Sequence, residues 1–522
     1  MGADVLLVAG ACVTIDDTST ACEWGLPLLQ NRLHRMSALS RRGTNTQIIL
    51  SSFIGLVMLV VLVYSVLNLH WAVPLGIICV VCGSVLMFVR PEIALLGIIS
   101  VRIILDLFWW APVSIGGVNL LAAFTGGATV LCAALCILEF RKLERHPGLT
   151  AFLLFGLVLI LSGFRTLDAV SGVELMTRFV SPLLMMFVVT TFLPNERDTR
   201  RLLKLLVVIT CIPLCVSIYH LVTGQMHSHT LAGYDRLLGG YKNLRHHAMM
   251  MMLMASVGGF WLLQARSLHT KTFMLGYIAC ATVCMYLTYI RTGVLALSAF
   301  VVCFLYISQR YRELTICVAL GVLFAILSPE IHDRFKDLAL IFSMGDDMFV
   351  NVRKLGSGRL GLWADSFREY LHQPLGDILL GLGMGKHWVL TRSAYNPFSL
   401  VQSGQVDTHS DYLGVLYQIG PIALGCYLFM QARVFVDGYR LSRSEGNSFS
   451  KDLGSLAAAL SVAVFVTNTI SNGFVNRTTL GWVFWGVAGA MYATRDRVKT
   501  THQAALQATI PLNSKPTSVN NA

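Results

Sequence analysis

Charged side chains are scarce in this chain: Asp, Glu, Lys and Arg make up 13% of 522 residues, too few to surface several soluble domains. Apolar and polar residues do not alternate either, which excludes a transmembrane barrel, whose strands change face at every residue. Instead, the hydrophobic 55% falls in blocks of roughly 16 to 22, the length a helix needs to cross hydrocarbon. Lipid offers backbone groups no partners, so such blocks must be helical. The composition therefore predicts an all-α, polytopic helical membrane protein.

Other absences narrow the function. The 13 cysteines lie mainly inside the apolar blocks, among them Cys79, Cys82, Cys132, Cys136, Cys211, Cys215, Cys280 and Cys284. They read as small residues that let helices pack, not as metal ligands or a disulfide framework. The polar interval 329–408 has no cysteine, so disulfides do not stabilise it. Gly381-Leu382-Gly383-Met384-Gly385 lacks a Walker lysine, which argues against a nucleotide cradle. No internal repeat is visible, and the charged residues crowd one face instead of the midplane, which weighs against a transporter. A net charge of +12 would suggest nucleic acid in a soluble chain, but much of it sits in short loops where it sets topology. No nucleic acid, cofactor or metal is expected. The opening apolar patch, Val5 to Ala9, is too short to span and has no basic residues before it, unlike a signal peptide.

What is present is a topology. Spans are expected at 48–67, 73–89, 92–109, 117–139, 149–164, 174–193, 202–222, 246–264, 272–289, 291–307, 313–328, 409–432, 454–472 and 478–494. That makes about fourteen transmembrane helices. Arg32, Arg35, Arg41 and Arg42 precede the first and place the N-terminus in the cytoplasm. Alternation then gives the cytoplasm Arg90, Arg141, Lys142, Arg145, Arg197, Arg200, Arg201, Arg266, Lys271, Arg310, Arg312, Arg433, Arg440, Arg443, Lys451, Arg495, Arg497 and Lys499. The opposite side receives Asn68 to His70 and Trp109 to Pro112, which are poor in Lys and Arg. The expected organisation is a cytoplasmic tail (1–46), a first bundle (47–328), a long external segment (329–408), a second bundle (409–494) and a cytoplasmic tail (495–522). Arg102 and Asp106 interrupt one span but lie four apart on one helix face, where they can pair. Arg178, near Glu174 at the start of another, is expected at the interface.

Two long segments fall outside the cytoplasm. One, 223–245, holds His227, His229, Asp235, Arg236, Lys242 and Arg245; the other holds Arg334, Arg353, Lys354, Arg359, Arg368, Lys386 and Arg392. Leu362, Trp363, Phe367, Tyr370 and Leu371, interleaved with Asp365, Arg368 and Glu369, predict an amphipathic helix at the membrane surface that Pro374 stops. His227, His229, His246 and His247 match no metal-ligand spacing and read as a solvated loop.

Chemistry converges on this side. Arg291 lies at a turn between spans, Arg359 precedes the amphipathic stretch, Lys242 and Arg245 enter the span at 246–264, and His409 opens the one at 409–432. Guanidinium binds phosphate bidentately, and imidazole changes charge near neutral pH. Together they suit an anionic phosphate leaving group and the removal of a proton from a hydroxyl. Each also has a plainer use: an interfacial arginine anchors a turn at the headgroups, and an interfacial histidine caps backbone.

These residues resemble the O-antigen ligase and polysaccharide polymerase superfamily of bacterial inner membranes. The ligase pattern of Arg, three residues and Leu is matched by Arg291 and Leu295. The pattern that opens on His and a small polar residue is matched by His409-Ser410 and Gly420, while Ala423 departs from its last position. Arg334 and Gly345 match an Arg, ten residues, Gly pattern of some polymerases. The resemblance extends to Ser357-Gly358-Arg359 with Trp363, to Pro374 with the glycines 381–385, and to His409-Ser410-Asp411-Tyr412-Leu413. It implies metal-independent glycosyl transfer at the periplasmic face from an undecaprenyl-diphosphate-linked glycan, with both termini cytoplasmic. Arg291 and Arg359 would hold the diphosphate, His409 would be the base, and Arg245, Lys242 and Tyr412 would bind substrate. Membrane lipid and the pathway's chain-length regulator and flippase are the implied partners. Polymerisation onto a lipid-linked repeat unit is the leading expectation and ligation onto lipid A core the second. A flippase for lipid-linked oligosaccharide and a structural assembly factor are the readings from other classes.

Overall fold

The apolar blocks do form helices. The structure, a computed structural model, describes residues 85–86, 89–108, 114–115, 118–166, 169–225, 236–328, 359–386, 408–475 and 477–509. The expected span at 48–67, most of that at 73–89, His227, His229, Arg334 and Gly345 lie outside them. In chain order the helices are α1 (Pro91–Leu105), α2 (Leu120–Leu138), α3 (Phe140–Leu143), α4 (Leu149–Gly163), α5 (Ala169–Phe192), α6 (Glu196–Val222), α7 (Leu244–Gln264) and α8 (Leu268–Tyr286). There follow α9 (Arg291–Ile307), α10 (Tyr311–Leu327), α11 (Arg359–Leu371), α12 (Leu375–Leu380), α13 (Asp411–Ile419), α14 (Pro421–Ser442), α15 (Ser448–Ile470) and α16 (Thr478–Thr509). A 3₁₀ turn, Asp106–Phe108, and a two-residue hairpin, β1 (Ser114–Ile115) against β2 (Val118–Asn119), lie between α1 and α2.

Among the described residues, four helical stretches are long and apolar enough to cross a membrane: Gly172–Phe192, Glu196–Val222, Leu244–Gln264 and Ser448–Ile470. The all-α membrane class stands on these. The other expected blocks within the described residues are helical too, but several are shorter, such as Leu149–Gly163 and Arg291–Ile307. No residue of α10 is buried, and Leu320, Leu323, Ile326 and Leu327 point outward. An apolar helix with bare flanks is costly in water and at ease in lipid.

Helices α7 and α15 form the centre of Leu86–Ala522. Met249 to Leu253 and Leu456 to Leu460 are almost wholly buried. Around them α16 runs along α5, α14 and α9 pack on α15, and α8 pairs with α7. The connections between antiparallel neighbours collect at two ends. At one, Glu196 accepts from Arg200 (2.8 Å) and Asn447 (2.9 Å), Arg495 meets Asp437 (3.1 Å), Gln264 bonds Asp452, and Arg200 covers the Phe449 ring. Many of the arginines assigned above to a common side thus share one end of the bundle. The other end carries the candidate site.

One expected span needs correction. The block at 409–432 is not a single helix: the chain breaks at Gly420, and α13 and α14 fold back on each other. The Tyr412 hydroxyl donates to Gln431 across this hairpin at 2.7 Å. Gly420 has φ 92° and ψ 174°, a conformation essentially reserved for glycine, and Pro421 then opens α14. Hydropathy ran through the break because both arms are apolar.

A methyl group at Gly420 would lie 2.3 Å from the Leu379 carbonyl oxygen. Gly420→Ala is therefore expected to cost at least about 1–3 kcal/mol in backbone strain alone. A lower unfolding midpoint in detergent checks this; an unchanged midpoint would reject the strained turn.

Candidate active site

The site is assembled from segments distant in sequence. Tyr289, at φ 53°, turns the chain between α8 and α9, so that Arg291 is the first residue of α9. The turn is braced from the preceding segment, where Arg236 Nε donates to the Thr288 carbonyl (2.9 Å) and Leu237 N–H to that of Leu287 (3.0 Å). Asn243 caps α7 by accepting from the Arg245 amide (2.8 Å), which puts Arg245 in the first turn. Arg359 begins α11, and Trp363 follows one turn later.

Arg245 Nη1 lies 3.0 Å from His409 Nδ1. Guanidinium has only donors, so Nδ1 must be the lone-pair nitrogen and the ring proton of a neutral imidazole sits on Nε2. Arg359 donates to the Ile470 carbonyl, at the end of α15. Its pKa is pushed down to about 10 by burial and by the neighbouring positive charges of Arg245 and Arg291. At neutral pH it stays protonated, so three guanidiniums crowd one site beside an imidazole.

His409 itself has φ 54°, the left-handed region that a β-carbon disfavours. Its neighbours hold it there. Trp363 Nε1 donates to the Thr408 carbonyl (2.7 Å), the Thr408 hydroxyl to the Ser410 carbonyl (2.8 Å), and the Ser410 hydroxyl to the Asn468 carbonyl (3.1 Å). Strain sustained by so many contacts is typical of functional positions.

The amphipathic helix forms where expected and ends before Pro374, yet part of its inner side docks on protein. Leu362, Ser366 and Tyr370 are buried, with Ser366 bonded to the Tyr417 hydroxyl at 3.0 Å, while Phe367 and Leu371 remain exposed. The glycines 381–385 strap the C-terminal end of α13. Leu382 N–H donates to the Tyr417 carbonyl (2.8 Å), and Gly383 N–H to that of Gln418 (3.2 Å). These bonds satisfy carbonyls that a helix end otherwise leaves open.

Residues 276–428 match the family model described as O-antigen ligase. Over these residues the chain is similar to the O-antigen ligase family, which supports a place in the O-antigen ligase-like superfamily. No curated protein matches the chain. The matched residues include Arg291, Arg359 and His409, whereas Arg245 and the end of α15 reach the site from outside them.

Lys242 stands exposed on the approach to α7. Tyr412, expected to bind substrate, directs its hydroxyl to Gln431 within the helical hairpin. His246 and His247 are not in a solvated loop. Both are buried in the first turn of α7, where His246 Nε2 lies 3.2 Å from Asp106 and His247 Nδ1 2.8 Å from the Leu238 carbonyl. Asp106 also bonds Arg102, the pairing their spacing suggested, and Thr479. No sequence signal marks the loop after α15, because it contributes backbone groups.

Trp363→Phe keeps the ring and removes the donor to Thr408. It should cost about 1–3 kcal/mol, the desolvation penalty of an unpaired carbonyl. Thermal unfolding together with glycan-transfer rate measures this, and unaltered values for both would exclude a bracing role for the indole N–H.

Proposed function

We propose that this protein is an inner-membrane polysaccharide polymerase acting at the periplasmic face. Its donor is a glycan on undecaprenyl diphosphate and its acceptor a lipid-linked repeat unit. The observation that carries the reading is the meeting of His409 with Arg245, next to Arg291 and Arg359. A lipid diphosphate leaves with developing negative charge, and fixed guanidiniums stabilise that charge where it forms.

The acceptor hydroxyl oxygen attacks the anomeric carbon of the donor. The bond from that carbon to the phosphate oxygen breaks, its electron pair departs with the lipid diphosphate, and the hydroxyl proton passes to His409. Because Arg245 occupies Nδ1 in the free protein, the diphosphate must first draw Arg245 toward itself. The freed Nδ1 then serves as the base. Donor binding thus precedes activation of the acceptor, an order that protects the donor from water. Lys242, exposed at the approach, adds positive charge along the path of the lipid phosphate.

Ligation of the finished glycan to lipid A core is the second reading, favoured by the description of the matching family. It uses the same donor and residues and differs in the acceptor.

Purified protein supplied with lipid-linked repeat units alone is expected to make a ladder of longer products. Growth that appears only after lipid A core is added would replace polymerisation with ligation. His409→Ala should lower turnover about 10²–10⁴-fold, the usual contribution of a general base. Arg359→Gln should weaken the protection that undecaprenyl diphosphate gives against thermal unfolding, about 2.7 kcal/mol at a hundredfold excess over Kd for the wild type. If His409→Ala kept full glycan extension, the enzymatic reading would be lost.

A further inference from the structure

Asp411 has no part in the chemistry above, yet it closes a circuit around it. Its carboxylate is buried, and Oδ2 accepts from three successive backbone amides, Gly473 (2.8 Å), Phe474 (2.8 Å) and Val475 (3.1 Å). Its own amide donates to the Ser471 carbonyl at 3.3 Å. Three amides aimed at one oxygen form a concave anion cradle. Here the anion comes from the chain itself.

The plain role for an acid in the first turn of a helix is to complement that helix's own free N–H groups. In α13 Ser410 already does so, accepting from the Leu413 amide. The Asp411 carboxylate turns instead to the segment after α15. That segment begins just past Ile470, whose carbonyl holds Arg359. One turn along α11 from Arg359, Trp363 holds the Thr408 carbonyl, next to His409. The contacts therefore run from His409 through Thr408, Trp363, Arg359, Ile470 and the 471–475 segment, and return through Asp411.

We propose that Asp411 is a positioning residue, which keeps the imidazole of His409 and the guanidinium of Arg359 at a fixed separation by holding the 471–475 segment. The inference rests on the glycosyl-transfer reading. Opening the circuit at Asp411 loosens base and cation relative to each other without removing any substrate-contacting group.

The test compares Asp411→Asn, which retains an oxygen acceptor without the charge, with Asp411→Leu, which retains none. Protein in lipid is assayed with undecaprenyl-diphosphate-linked repeat units, and His409→Ala is run in parallel. Asp411→Leu should lose kcat about 100-fold, the scale of a small misplacement of reacting groups, with KM little changed. Asp411→Asn should lose no more than about tenfold, since an uncharged acceptor makes a bond roughly half as strong. The pH profile of Asp411→Asn should keep the wild-type shape. Full activity in Asp411→Leu overturns the inference. So does an Asn variant as inactive as Leu, or one whose pH profile loses a limb, because either result assigns Asp411 to charge or proton transfer. If Asp411→Leu does not fold, amide exchange of the 471–477 peptide in Asp411→Asn decides: faster exchange with reduced kcat supports positioning, and unchanged exchange overturns it. Undiminished transfer by His409→Ala would defeat the glycosyl-transfer reading itself, whereas an inactive His409→Ala beside a fully active Asp411→Leu sinks this inference alone.

Discussion

A buried carboxylate must find donors, because its hydration is lost and little in an apolar bundle replaces it. Asp411 meets that requirement with consecutive backbone amides from the end of α15, and much of the local architecture follows. The segment after α15 is bound to the start of α13, and Gly420 turns the chain from α13 into α14. The glycine strap and α12 close over the C-terminal end of α13, and α11 lies against its flank. Each element is docked by hydrogen bonds that an apolar surround makes costly to break.

The two ends of the bundle treat arginine differently. At one, Arg200, Arg201, Arg433 and Arg495 each face a carboxylate within 2.7–3.1 Å. At the other, Arg359 feels the charges of Arg245 and Arg291, and Arg245 lies against an imidazole. The first arrangement neutralises charge between neighbouring elements. The second gathers positive charges near one another. Under the proposed transfer from a lipid diphosphate, the negative charge that grows as the sugar departs would relieve their repulsion.

Much of this was legible in the sequence wherever the signal was local. Unbroken apolar blocks announced helices, Pro374 marked the end of α11, and the four-residue spacing of Arg102 and Asp106 foretold their contact. That Arg245, Arg291, Arg359 and His409 would gather at one end followed from span alternation and from motif order. The failures were non-local. His246 looked like part of a polar loop because Asp106, its partner in the bundle, is far away in sequence. The hairpin at Gly420 escaped because hydropathy records how apolar a segment is and not which way it runs. The 471–475 segment escaped because its contribution is N–H and C=O groups, which every residue carries.

The separation between Asp411 and its partners bears on biogenesis. Chains are made and inserted from the N-terminus at about 5–20 residues per second. Gly473, Phe474 and Val475 emerge some seconds after His409, and only once α15 has been made. A nascent chain that ends before residue 473 therefore lacks the amides that the Asp411 carboxylate binds in the finished protein.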